Sequence, residues 1–145
     1  MSRATDPARF RRHVQSGLQL FEGLVRRKLS GYVAASAWNG LGNMHLLTGD
    51  YQHAIEYCSR ATRFSPTYAH AWADLFDAYV GHAEAGTVDL AAMRRTLARL
   101  KATAKGVALL ERRVPDDEAT LDGLEKRYRR RPSPDKGALP RHQSP

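Results

Sequence analysis

Cysteine is nearly absent from this sequence: among its 145 residues Cys58 stands alone. No internal disulfide can form, which fits a reducing compartment, and a cytoplasmic protein is the expectation. Long apolar runs are missing too. None approaches the roughly 20 residues that span a bilayer, so no membrane segment is expected. The stretch up to Gln19 lacks a signal-peptide core, because Arg9, Arg11, Arg12 and His13 interrupt it. There is no glycine-rich phosphate loop and no strand–helix alternation, so neither nucleotide hydrolysis nor a dinucleotide cofactor is supported. His45, His53, His70 and His82 do not form a helix-spaced zinc motif with a glutamate between two histidines, and Cys58 has no second cysteine beside it. The expectation is a protein with no catalytic residues, no metal and no cofactor.

Acids are also scarce relative to bases, giving a net charge of +8, and the imbalance is uneven along the chain. Between Asp50 and Asp77 the acids Asp50, Glu56, Asp74 and Asp77 outnumber Arg60 and Arg63. The positive excess lies in the flanks: Arg9–Arg12, Arg26–Lys28, Arg94–Lys105, Arg112–Arg113 and Lys126–Arg131. Such a periphery suits solvated helix faces, and it could also attract an acidic partner or nucleic acid.

What the chain does have is an internal repeat. Ala35, Trp38 and Leu41 recur as Ala69, Trp72 and Leu75, an offset of 34 residues. The first copy adds Gly42, Gly49, Tyr51, Ala54, Ala61 and Pro66. Gly42 and Ala54 are small where two helices would cross, Ala61 is small where a following unit would dock, and Pro66 stops the second helix. With this set the segment Trp38–Pro66 resembles the tetratricopeptide repeat. The second copy is clear only in its first helix, Ala69–His82. His45 stands where the family usually has tyrosine, and Phe76 where it usually has a small residue. The first substitution is expected to pack; the second is expected to push the following helix outward.

Around the repeats the chain reads as helices throughout. Asp6 and Pro7 open a first helix with Phe10, Val14, Leu18, Phe21 and Leu24 or Val25 on one stripe and Arg26–Lys28 in its last turn. The repeat hairpin turns at Thr48–Asp50, and the second hairpin has a longer turn over His82–Thr87. From Val88 one long helix is expected, with Leu90, Met93, Leu97, Leu100, Ala104 and Val107 as a heptad-like seam for docking inside the chain or for self-association. Gly106 could break or bend it, and Val114-Pro115 would end it. A final helix, with Leu121, Leu124 and Tyr128 on a thin stripe, should dock weakly. The expected fold is all-α: a short solenoid of helical hairpins with capping helices. The expected divisions are 1–31 as a cap helix, 32–114 as the repeat domain, 115–131 as a basic helix and 132–145 as a disordered tail.

The resemblance implies a non-catalytic module, an adaptor, scaffold or assembly factor that holds a peptide segment of another protein in a concave groove lined by first helices. Transferred to this chain, the groove positions are Ser36, Asn39, Asn43 and Leu46, then His70, Ala73, Asp77 and Val80. Asn43 could hold a peptide backbone through its amide, and His70 and Asp77 could read a polar or basic group. His70 and Asp74, four residues apart, could also pair with each other. Relatives that grip acidic chaperone tails use a clamp of lysine, arginine and asparagine. Here Asn39 replaces the lysine and Asp77 would repel a carboxylate, so that activity should be absent or weak. The alternative is nucleic-acid or acidic-partner binding through Arg94, Arg95, Arg99, Lys101, Arg129 and Arg130, though Tyr128 is the one aromatic interleaved there. Homo-oligomerisation stays open, because two repeats bury little surface.

Overall fold

The computed structural model describes residues 6–130, and within them every regular element is a helix: α1 Pro7–Val25, α2 Gly31–Leu47, α3 Tyr51–Phe64, α4 Ala69–Glu84, α5 Leu90–Thr103 and α6 Ala108–Arg130. Residues 132–145, expected to be disordered, lie outside the described residues. The protein is all-α and built of helical hairpins. None of its described helices is long and apolar enough to cross a membrane.

Local chemistry starts each element. Asp6 caps α1 by accepting from the Ala8 amide at 2.9 Å, with Pro7 at the first helical position. The helix stops at Val25, so Arg26–Lys28 follow it rather than occupy its last turn. Asp50 and Asp89 cap α3 and α5 by accepting from the amides of His53 and Ala92. Gly49 and Gly86, both at positive φ, end the preceding segments.

α1 lies on α2. Val14 is buried, and the Phe21 ring fills the space above Gly40, where a Cβ would come within 2.2 Å of it. In the α2–α3 hairpin the backbones themselves approach. A Cβ at Gly42 would stand 2.5 Å from Cys58 Sγ and 3.1 Å from the Cys58 amide nitrogen. Ala35 and Ala61, both fully buried, meet Ala71 of the next hairpin beneath Trp38. The Arg60 guanidinium covers the Trp38 ring at 4.7 Å, and Trp72 lines a cleft together with Arg63, Arg95 and Arg99. Trp72 also donates from Nε1 to the Pro66 carbonyl at 2.8 Å.

The second hairpin is built around Phe76. That ring is 1 % exposed and belongs to the largest core cluster with Met93, Leu97 and Leu100 of α5 and Leu110, Val114, Leu121 and Leu124 of α6. Its volume sits between the helices, and α5 lies less closely on α4 than α3 does on α2, in line with the outward push expected of it. The α5 seam is spent in the same place, which removes it as a self-association surface.

Near the end, Gly106 breaks the helix, one of the two outcomes expected of it, whereas the boundary expected at Pro115 is absent. The break falls at Ala104–Val107, where Gly106 takes φ +85°, and α6 then runs through Pro115 without stopping. An interior proline deletes one backbone donor and costs about 3 kcal/mol. Leu110 and Val114 before it and Leu121 and Leu124 after it form one buried stripe, so interrupting the helix would strip that stripe from the core. Pro115 itself faces solvent, where water can serve the orphaned carbonyl. The final helix therefore buries Leu110, Val114, Leu121 and Leu124 and lays the half-buried Tyr128 against the same core.

Successive helices all touch. Among alternate ones, α2 meets α4 and α4 meets α6, whereas α1 and α3, and α3 and α5, do not meet. The stack is closed on its even-numbered side and splayed on the odd one, so α2, α4 and α6 line the inner face.

Candidate functional site

The inner face carries polar groups in a continuous row. Asn39 of α2 donates from Nδ2 to Asp74 Oδ2 of α4 at 3.1 Å, and its Oδ1 is buried without a hydrogen-bond partner. One turn along, the half-buried Asn43 also bears on Asp74. Further along α4, Asp77 receives both terminal nitrogens of Arg113 from α6, one of them at 3.1 Å. Arg113 in turn donates from Nε to Asp117 at 2.7 Å. Near the start of α2 the face is aromatic: Tyr32 and Tyr68 meet edge to face at 5.0 Å, with His70 5.8 Å beyond Tyr68.

Asp77 and Asp117 thus share the Arg113 guanidinium, and a third carboxylate, Asp74, stands near them with the Asn39 amide as its partner. Burial pushes the Asp74 carboxyl above its ordinary range; the Asn39 amide opposes this, the nearby Asp77 charge adds to it, and Asn43 and Arg113 pull it back. Burial disfavours the Arg113 charge, yet the hydrogen bonds it donates to Asp77 and Asp117 outweigh that and hold it firmly cationic. The row is acidic and amide-rich while the outside of the molecule is basic. An acidic row of this kind favours cations over anions.

The sequence-derived groove residues divide. Asn43, Leu46, Asp77 and Val80 are half-buried on or beside this face, and His70 is exposed. Ala73 is 2 % exposed inside the core and cannot touch a ligand. Asn39 is 7 % exposed and committed to Asp74, so its role is to hold α2 against α4. Asp74 turns to α2, not to His70 as its spacing suggested. Arg113, Asp117 and Tyr68 were missed, because their place on the face depends on how α6 and the α3–α4 junction pack. α6 touches α4 and α5 but not α2, so it widens the face without crossing it.

The basic set is broken up. Arg94 pairs with Glu125, Lys101 with Glu118 at 2.8 Å, and Arg129 lies 3.8 Å from Glu125. Arg95 and Arg99 instead border a cleft of about 270 Å³ between α3 and α5, with Arg63, Trp72 and Tyr79. The side chain of Arg130 lies outside the described residues. Cys58 is fully buried against Gly42, and burial raises its thiol well above the ordinary value, so it acts as a small apolar residue. At the α2–α3 turn, His45 Nδ1 and His53 Nδ1 approach Asp50 Oδ2 at 3.2 and 2.7 Å.

No curated protein and no solved structure matches the chain. Residues 35–68 match the family model of the tetratricopeptide repeat, a span that runs through most of α2, the whole of α3 and the junction to α4. Repeats of this family generally mediate protein–protein interaction and are typically non-catalytic. Over residues 35–68 the chain is therefore similar to one tetratricopeptide repeat, with α2 and α3 in the places of its two helices.

Proposed function

We propose that the protein is a non-catalytic adaptor whose inner face, formed by α2, α4 and α6, holds an extended segment of a partner protein bearing a basic side chain. The observation that carries this reading is the surplus of carboxylate over guanidinium on a face whose edges offer an amide at Asn43 and an aromatic corner at Tyr32, Tyr68 and His70. An amide can donate to and accept from a peptide backbone without reading its sequence. The acids would then choose among segments by charge. Chaperone tails, which are acidic, fit this face poorly.

The test begins with affinity capture and mass spectrometry at two salt concentrations, followed by titration of the captured partner's segments. Asn43→Ala combined with Asp77→Ala is expected to weaken binding about tenfold or more. Asp117 remains to hold Arg113 in that variant. Unchanged affinity, or equal binding of acidic and basic segments, would remove the groove assignment. Nucleic-acid binding through the flanks is disfavoured because Arg94 and Lys101 already face carboxylates; a complex that dissolves steeply with salt would restore it.

A further inference from the structure

We propose that His45, Asp50 and His53 form a binding site for a divalent transition-metal ion, zinc by the character of its donors, at the turn between α2 and α3. One donor atom from each residue lies within 4.8 Å of the other two. Two imidazole nitrogens and a carboxylate oxygen are the donor set that suits zinc, with metal–ligand bonds of about 2.0–2.2 Å. Donors on a tetrahedral ion at those lengths stand roughly 3.3 Å apart; the His45–Asp50 separation of 3.2 Å matches this, and the His53–Asp50 separation of 2.7 Å has to open as the exposed His53 side chain turns onto the ion.

The arrangement is hard to explain as a cap alone. Asp50 performs its capping duty through Oδ1, which accepts from the His53 amide, and this leaves Oδ2 for the two rings. Both Nδ1 atoms converge on that single oxygen, so both would have to be protonated there for each contact to be a hydrogen bond. A cation satisfies all three atoms at once. Tyr57 packs against both imidazoles, at 5.3 and 5.9 Å between ring centres, and so limits their rotation.

The molecule also contains its own control. In the second hairpin the positions equivalent to His45, Asp50 and His53 are Tyr79, Asp89 and Ala92. There Asp89 caps α5 through the Ala92 amide at 3.0 Å with no imidazole involved. The fold therefore does not require histidine at either place. With side-chain exposures of 51 % for His53 and 40 % for Asp50, the site opens to solvent, leaving a coordination position for water or for a donor from another molecule. A bound ion would tie the end of α2 to the start of α3. The site is separate from the inner face and does not depend on the partner reading.

The experiment uses the full chain without a histidine tag, stripped with a chelator and titrated with zinc chloride by calorimetry, with thermal unfolding in parallel. Cobalt(II) replaces zinc in a second titration, where the visible band reports coordination by nitrogen and oxygen. One ion per chain, a raised Tm, and affinity lowered by more than about tenfold in His53→Ala and in His45→Tyr are expected. His45→Tyr installs the residue found at the matching place in the second hairpin. His70→Ala and His82→Ala should leave uptake unchanged. Absence of uptake, affinity retained in His53→Ala, or uptake lost only with His70 or His82 overturns the proposal. His53 is exposed and its backbone amide still reaches Asp50, so that variant keeps the test valid even where His45→Tyr folds poorly.

Discussion

The two hairpins solve the same packing problem with opposite materials. Where α2–α3 places Gly42, Ala54, Cys58 and Ala61, α4–α5 places Phe76, Met93, Leu97 and Leu100, and nearly all of these are fully buried. The caps Asp50 and Asp89 lie 39 positions apart, against 34 for the leading tryptophans, so the second turn absorbs five extra residues. Close backbone approach joins the first pair of helices, and side-chain volume joins the second. One hairpin should therefore resist additions and the other deletions.

The largest effect expected from this contrast is at Phe76. Phe76→Ala empties the centre of the cluster that unites α4, α5 and α6 and should cost about 3–5 kcal/mol in urea unfolding. A loss below about 1 kcal/mol would mean that the second hairpin closes as tightly as the first. Next comes Gly42→Ala, which gains helix propensity of about 1 kcal/mol but forces a Cβ onto Cys58; a net loss of about 1–2 kcal/mol is expected. Adding Cys58→Ala to it should return part of that loss, measured as a coupling of about 1 kcal/mol in a double-mutant cycle. Strict additivity would show that the added methyl group is opposed by the backbone of α3 and not by the Cys58 sulfur.

The smallest expected effect concerns the acid that links the hairpins. Asp74 has a folded pKa raised by burial, so the folded chain binds its proton more tightly than the unfolded chain does. Its contribution to stability is full below the ordinary carboxylate range and is lost as pH rises through the raised value. Asp74→Asn should then stabilise the protein at neutral pH by about 1 kcal/mol or less. That advantage should shrink as the pH is lowered toward 4. A difference that does not vary with pH would place the charge of Asp74 in water.

Much of the fold was legible because its signals act over one helical turn. Asp6-Pro7, Gly49-Asp50 and Pro66 mark ends by local hydrogen bonding and sterics, and Gly42 with Ala61 marks a close approach by size alone. The C-terminal boundaries were not legible in this way. Val114-Pro115 carries a strong local stop signal, yet burial of Leu121 and Leu124 keeps the helix going, and among the described residues of this stretch the only break is the one that Gly106 offered. The inner face was legible as a periodicity but not as a site. Ala73 has the right spacing and points into the core, while Asp77 is met by Arg113 from a helix 36 residues away. The cluster at His45, Asp50 and His53 escaped because its spacing crosses a turn, and only the turn's geometry brings the rings together.

By itself the sequence determined an all-helical chain, a hairpin with a 34-residue echo, and the residues that cap and stop its helices, since each of these depends on neighbours within a few positions. Tertiary structure alone decided that α6 passes through its proline, that Asp77 already holds a cation, and that two imidazoles share one carboxylate oxygen. Those outcomes rest on burial and charge pairing between segments that meet only when the chain has folded, and no local pattern records them.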